Sequence, residues 1–332
     1  MSVPRITIIT PSYNQGHYLE QTIDSVLSQS YPNLDFMIID GGSTDQSVAI
    51  IKKYERYLSH WVCEKDKGQS DAINKGLNRA SGDIFNWLNS DDYYEPGALQ
   101  AIAEGFASQP EKKIMCGYTH CFYEESKTTS HTYCMGTRTT VAETIMNVEM
   151  NQPGSFYRME LLRELGFLNP SLRYVFDGEL WFRFLSKYGL QAVGYTDALI
   201  AHFRLHETSK SVGDGFFEFY KEFLNIHLFL ANQLQLMPAI INYLENDQYI
   251  ERYVPGNWDY TFLEKEVFEY IFAEKYKFLL YKDHYYETAR KGLSYYREQP
   301  QQEKHLDHLK LSAKLVLPDA LIDVLRKLNK GK

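Results

Sequence analysis

The stretch Trp87-Leu88-Asn89-Ser90-Asp91-Asp92, preceded by Ile84-Phe85-Asn86, runs from apolar residues straight into two adjacent carboxylates. That transition is expected where a buried strand ends at an exposed loop. A carboxylate pair so placed suits a hard divalent cation, Mg²⁺ or Mn²⁺, which prefers oxygen ligands and often completes its shell with phosphate oxygens of a substrate. Alone, such a pair more often marks a turn or a helix cap, and the surrounding sequence has to decide.

Upstream, strand-like and helix-like stretches alternate. Arg5 to Thr10 is a β-branched run closed by Pro11-Ser12, and Leu19, Ile23, Val26, Leu27 and Tyr31 then recur at helical spacing until Pro32-Asn33. Phe36 to Ile39 is a second strand, broken by Asp40-Gly41-Gly42. Ser43 with Gln46 matches a capping box ahead of a helix that buries Val48, Ile51 and Tyr54. Trp61-Val62-Cys63 is a third strand, and Asp71 to Ala80 a helix with Ala72, Ile73, Leu77 and Ala80 inward, stopped by Gly82 before the strand Ile84 to Leu88.

This βαβαβαβ order predicts an α/β, Rossmann-like fold, a mostly parallel sheet flanked by helices, with ligands outside the carboxyl ends of the strands. Three polar clusters fall at such ends: Pro11-Ser12-Tyr13-Asn14, Asp40-Gly41-Gly42-Ser43-Thr44-Asp45 and Asn89-Ser90-Asp91-Asp92. They are expected to converge on one crevice. Neither G-x-G-x-x-G nor G-x-x-x-x-G-K-S/T occurs, which argues against a dinucleotide dehydrogenase and a P-loop NTPase and leaves phosphates to be met by a metal.

The chain has 332 residues, 44% hydrophobic and 23% charged, enough for about two globular domains. No run approaches the roughly 18 consecutive apolar residues of a spanning helix. The start, Met1 to Arg5, lacks the pattern of a secretory signal, so the expected location is the cytoplasm. A net charge of −8 argues against a nucleic-acid partner. Cys63, Cys116, Cys121 and Cys134 have no metal-ligand spacing, even with His120 and His131 near, and are expected to be free thiols.

Thr10-Pro11-Ser12-Tyr13-Asn14, Ile38 to Asp45, Asp71-Ala72-Ile73-Asn74-Lys75-Gly76 and Leu88 to Asp92 together resemble the family 2 glycosyltransferases of GT-A fold, over roughly residues 4 to 211. The resemblance implies a nucleotide-sugar donor. It implies that Asp40 hydrogen-bonds the base, that Asp92 coordinates a divalent cation, Mn²⁺ or Mg²⁺, and that Asp91 contacts the ribose or assists the metal. Pro11, Tyr13 and Asn14 would line the base pocket, although Pro11 is equally a strand terminator. Asp66, Lys67 and Asp71 read as donor contacts or as a solvated loop and helix start.

Asn151 to Arg158 also resembles the family, where it passes beneath the acceptor site. Transfer needs a carboxylate that takes the proton of the acceptor hydroxyl. The resemblance gives that role to Asp177 in Asp177-Gly178-Glu179-Leu180-Trp181, which is also a candidate helix N-cap; Glu179 is the alternative base. Gly178 would loosen the loop or leave room for acceptor, and Trp181 would stack on a sugar or belong to the core. His206 matches a position that completes the metal shell in related enzymes, with a surface histidine as the other reading. Arg204 and Lys210 would meet the diphosphate or be surface charges.

From Gly215 on, the pattern becomes helical and rich in Tyr, Phe and Leu. The expected division is a catalytic domain over 1–214, with a nucleotide-sugar half (1–115) and an acceptor half (116–214), and a helical domain over 215–332. Phe262, Val267, Tyr270, Ile271 and Phe278 recur at helical spacing, with Tyr285-Tyr286 to Tyr296 as an antiparallel partner. Leu317, Leu321, Val324, Leu325 and Leu328 form an apolar face beside Lys314, Arg326, Lys327, Lys330 and Lys332. That face suits packing on the catalytic domain or on a second subunit, a homo-oligomer, or else peripheral contact with the inner face of a membrane.

The expectation is a metal-dependent, inverting glycosyltransferase that moves a sugar from a nucleotide sugar, UDP-sugar first, to a hydroxyl of a glycan or lipid-linked acceptor in surface polysaccharide synthesis. Two rivals use the same residues: a catalytically inactive nucleotide- or glycan-binding relative, and a glycoside hydrolase, which needs two carboxylates but no nucleotide.

Overall fold

The computed structural model describes residues 3–207, 209–210, 215–236, 253–282 and 322. Strands β1 (Ile6–Ser12), β2 (Leu34–Asp40), β3 (His60–Cys63) and β4 (Ile84–Trp87) form a parallel sheet in the order β3-β2-β1-β4. Every residue of β1 and β4 is buried, as a parallel sheet covered on both faces requires. Alternation along the strands divides the core. Ile6, Ile8 and Ile38 face the helices α1 (Gly16–Leu27) and α2 (Ser47–Tyr54) through Leu19, Ile23 and Ile51, while Ile9, Met37 and Ile39 face α3 (Gln69–Leu77) through Ala72, Ile73 and Leu77.

Beyond β4 the sheet is mixed. The short β5 (Tyr93–Tyr94) and helix α4 (Ala98–Ser108) lead to β6 (Ile114–Tyr123) and its hairpin partner β7 (Thr129–Tyr133). After α5 (Val141–Met146), β8 (Ser155–Arg158) inserts antiparallel between β4 and β6. Helices α6 (Met159–Leu165) and α7 (Phe176–Tyr188) precede the 13-residue β9 (Val193–Leu205), which runs parallel to β6 and antiparallel to β5. The expected α/β sheet flanked by helices is therefore present, with its purely parallel part confined to the first half.

The expected capping box at Ser43 is absent. Helix α2 begins at Ser47, Asp45 accepts hydrogen bonds from the N–H of Ser47 and of Gly16 at 2.9 Å each, and Ser43 turns the other way, to Asp40. Local sequence spacing did not anticipate that competition by a buried acid.

Among the described residues, helices α8 (Gly215–Gln233) and α9 (Lys265–Lys282) follow β9. Their buried residues Ile226, Leu230, Phe268 and Phe272 share one core with Leu180, Phe182 and Ile145 of α7 and α5. In α9 the inward face is Phe268, Ile271, Phe272 and Ala273, whereas Tyr270, and Phe262 ahead of the helix, are exposed. Glu264 accepts from the N–H of Val141 and Ala142, supplementing the Thr140–Glu143 capping box of α5. Tyr285 to Tyr296 and the basic amphipathic face from Lys314 to Lys332 lie outside the described residues, apart from the buried Ile322. No described helix is long and apolar enough to cross a membrane.

This core holds a fully buried ion pair, Glu179–Arg183 on α7, at 2.8 Å. Arg183 also donates to the carbonyls of Leu165, Gly166 and Phe167, and Tyr253 donates to Glu179 at 2.6 Å. Removing one member leaves the other charge buried without compensation. Glu179→Ala is expected to cost about 3–5 kcal/mol in urea unfolding; a loss below about 1 kcal/mol would contradict this account.

Candidate active site

Asp40 lies at the end of β2 and is fully buried. Its Oδ1 accepts from the N–H of Gly42 (3.1 Å) and Ser43 (2.8 Å), and its Oδ2 accepts from the hydroxyls of Ser12 (3.0 Å) and Ser43 (2.6 Å). A carboxylate offers about four lone-pair sites. All are taken by the loops of β1 and β2, and Asp40 ties the two loops together. Asn14, at a left-handed φ of 52°, continues the tie by donating its N–H to Ser43 Oγ and accepting from the N–H of Thr44, both at 2.8 Å. Pro11 is buried as a sheet residue opposite Ile39, and Tyr13 projects into solvent with 62% of its surface exposed.

The second cluster surrounds Asp91 and Asp92. Asp92 is buried, and its Oδ1 accepts the backbone N–H of Arg204 at 2.9 Å, while Asn89 Nδ2 approaches Oδ2 at 3.3 Å. Burial, with Asp91 beside it, pushes the Asp92 carboxyl well above the usual carboxylate range. Thr22 of α1 donates to the Asp92 carbonyl at 2.7 Å, and Gln152 supports the strand from below by donating to the Trp87 carbonyl at 2.7 Å. His206 is buried, not on the surface; its Nε2 lies 3.0 Å from Asp91 Oδ2 and its ring packs on Tyr18.

Arg204 is not a surface charge. Its guanidinium is buried, donating to the Asp91 carbonyl (2.7 Å), to Gln21 (2.7 Å) and to Glu124, with its charge over the rings of Tyr18 and Phe122. It braces the acidic loop from behind. Among the described residues, no three His, Cys, Asp or Glu side chains form a ready metal cage. A hard cation that takes only one or two carboxylates and fills its shell from phosphate and water needs no such cage.

Asp177 lies in the first turn of α7, half-buried, with Oδ1 accepting from Gly178 N–H at 2.8 Å. The residue that caps α7 is Val175, so Asp177 is not the helix cap. Burial raises its carboxyl to about 6. Glu222 of α8, which sequence reading missed, accepts from three successive N–H groups, Arg173, Tyr174 and Val175, at 2.8–2.9 Å and so sets the start of α7. Gly178 does not open the loop: a Cβ there would stand 2.9 Å from the Phe223 ring, so the glycine admits α8. Glu179 is consumed by Arg183 and Trp181 is fully buried, which removes both from the crevice.

Trp87 of β4 packs on Phe176 at 6.2 Å, bringing the strand end that carries the acidic pair against the helix turn that carries Asp177. A polar chain runs alongside. Lys210 Nζ donates to Gln69 Oε1 (2.8 Å) and to the Arg173 carbonyl (3.2 Å), Gln69 Nε2 donates to Asn89 Oδ1 (2.6 Å), and Asn89 reaches Asp92. Gln69 was invisible from sequence because its neighbours are distant in the chain. Asp71, in the first turn of α3, accepts from Lys67 N–H at 3.1 Å and pairs with Lys75 at 3.8 Å; the Lys67 side chain is exposed.

A Rossmann-like sheet extended by a mixed half, with adjacent acids at the end of β4 and a carboxylate on the facing helix, defines the GT-A class of glycosyltransferases. Residues 7–166 match the model of Glycosyl transferase family 2, and the chain carries a domain of that family. An uncharacterized glycosyltransferase of Rickettsia prowazekii is 24% identical over 212 residues, 61% of this chain and 64% of that protein. The putative teichuronic acid biosynthesis glycosyltransferase TuaG of Bacillus subtilis is 39% identical over 104 residues, 30% of this chain and 41% of that protein. The matches thus span less than two thirds of these relatives. Among solved structures, S. aureus TarS 1–349 in complex with UDP-GlcNAc is similar in fold with a TM-score of 0.53 at 17% identity, covering 72% of this chain and 69% of that one. The mannosyltransferase PcManGT of Pyrobaculum calidifontis, in complex with GDP-Man and Mn²⁺, has a TM-score of 0.52 at 16% identity, covering 94% and 79%.

The role found for Asp40 predicts a graded response. Asp40→Ala strands buried donors and is expected to cost about 3 kcal/mol or more in chemical unfolding, whereas Asp40→Asn, which keeps one acceptor oxygen beside hydroxyls free to rotate, costs about 1 kcal/mol. Equal losses would refute the assignment.

Proposed function

We propose that the protein is a metal-dependent, inverting glycosyltransferase that moves a sugar from a nucleotide sugar to a hydroxyl of a glycan or lipid-linked acceptor. The observation that carries this reading is the meeting of the Asp91–Asp92 loop with Asp177 through Trp87–Phe176 and the Lys210–Gln69–Asn89 chain. The donor binds across the carboxyl ends of β1 to β4, its diphosphate toward Asp91 and Asp92. UDP-sugar is the first candidate; the structural neighbours carry UDP-GlcNAc and GDP-Man. The helices from residue 215 are assigned as a unit that supports α7, consistent with the contacts of Glu222 and Phe223.

A Mn²⁺ or Mg²⁺ ion held by Asp91 and Asp92, with His206 beside them, would neutralise charge on the leaving diphosphate. Asp177 supplies the acid–base chemistry: the acceptor oxygen forms a bond to the anomeric carbon, its proton passes to the Asp177 carboxylate, and the bond from that carbon to the phosphate oxygen breaks. One direct displacement of this kind inverts the anomeric centre. Lys210, beside the start of α7, contributes positive charge where the diphosphate departs.

With UDP or GDP at about 100 times Kd, the melting temperature is expected to rise by several degrees, and more with Mn²⁺ than without, since binding to the native state adds about 2.7 kcal/mol. No shift with any nucleotide or metal would end the proposal. Asp177→Asn should abolish transfer while leaving donor binding intact. The wild-type base works as a carboxylate, so kcat/KM should be level above its pKa of about 6 and fall about tenfold per pH unit below it. A profile flat to pH 5 would assign the base elsewhere.

A further inference from the structure

Residues 253–260 form no helix or strand, yet both ends of this segment are pinned against the catalytic half. Tyr253 donates to Glu179 at 2.6 Å, and Asn169 donates to the Val254 carbonyl at 2.7 Å. Gly256 lies so close over Arg183 that a Cβ there would stand 3.1 Å from Nε. Just past the other end, the Phe262 N–H donates to the Ser186 carbonyl at 2.8 Å. The backbone between these ties is held in place before any ligand arrives. Asn257, Trp258, Asp259 and Tyr260 line a cavity of about 420 Å³, completed by Leu165 of α6 and Lys187 of α7.

The lining combines aromatic surface with open polar groups. Trp258 and Tyr260 stack nearly parallel, with ring centroids 6.0 Å apart at 14°, and both residues are partly exposed. Asn257 is exposed, and its amide has no hydrogen-bond partner among the described residues. Asp259 Oδ1 accepts from the N–H (3.0 Å) and the hydroxyl (2.6 Å) of Thr261, which hold the carboxyl below its usual range. Its Oδ2 accepts no hydrogen bond from the described residues. An open amide and a charged carboxylate beside flat aromatic surface match a pyranose, whose hydroxyls pair with planar polar groups while its apolar C–H face lies on a ring. Lys187 is already paired with Glu164 at 2.7 Å, so the Asp259 charge disfavours a diphosphate or a uronate. The volume falls in the lower range of small-molecule sites, enough for about one or two sugar rings.

We propose that this cavity is a second, non-catalytic saccharide site that takes a neutral stretch of the acceptor or product glycan; the identity of that occupant rests on the function proposed above. The site is separate from the catalytic cleft. Asp177 lies in the first turn of α7 and Lys187 in the last, about 15 Å apart at the usual helical rise. A glycan held there by one segment keeps the rest of its length at raised local concentration near Asp177.

The test is titration of the full chain, without nucleotide, with maltohexaose, cellohexaose, chitohexaose and mannohexaose, read by saturation-transfer NMR, with hexagalacturonate as the anionic counterpart. Wild type should bind at least one neutral hexasaccharide roughly tenfold or more tighter than hexagalacturonate. Asn257→Ala and Asp259→Asn, which leave the stacked rings in place, should keep the wild-type melting temperature and each weaken that binding roughly fivefold or more. Asp177→Asn should leave it unchanged. Binding that survives Asn257→Ala and Asp259→Asn at full strength overturns the site, and its loss in Asp177→Asn would then put the glycan in the catalytic cleft. Wild type binding no neutral hexasaccharide also overturns the site, while the melting shifts with nucleotide and metal decide the glycosyltransferase reading separately.

Discussion

Two adjacent carboxylates, one of them buried, impose the constraint that most of the site is built to meet. Burial and the neighbouring Asp91 favour the protonated form of Asp92, and donors and nearby positive charge oppose that shift. The Arg204 backbone N–H and Asn89 supply the donors, and the Arg204 guanidinium, spread between the Asp91 carbonyl, Gln21 and Glu124, supplies the charge. Those partners arrive on α1, on β9 and on the loops after β4 and β6. The long β9 is needed because only a strand running beside β6 and past β5 carries residue 204 to the back of the acidic loop.

The same logic couples the helices after residue 215 to the catalytic half. Glu222 holds three backbone donors ahead of α7, and Phe223 packs into the gap left by Gly178. The Glu179–Arg183 pair, tied to Tyr253, locks the segment 165–167 against α7. Asp177 is therefore positioned by residues up to 76 positions away in the chain, through rigid packed contacts.

Much of the first half was legible in the sequence. Pure apolar runs, helical spacing and turn residues placed β1 to β4 and α1 to α3 to within a few residues, because in a parallel sheet burial on both faces writes itself into continuous apolar strands. The acidic pair at the end of β4 and Asp177 on the first turn of a helix were read correctly as positions. What could not be read was how the polar groups are partnered. Asp40, Glu179 and Arg204 are polar residues in suggestive places, and all three are held by buried partners from distant segments. The mixed order of β8, β6 and β9 was equally hidden, since short alternating strands specify faces but not neighbours.

The amino-acid sequence by itself determined the alternation of strands and helices, the sites where polar clusters emerge from the sheet, and the family to which residues 7–166 belong. Those properties follow from periodicity and local chemistry. Only the tertiary structure decided which donors surround each carboxylate, tying Asp40 to the loops of β1 and β2 and Glu179 to Arg183. Those donors come from strands and helices that meet only when the chain is folded.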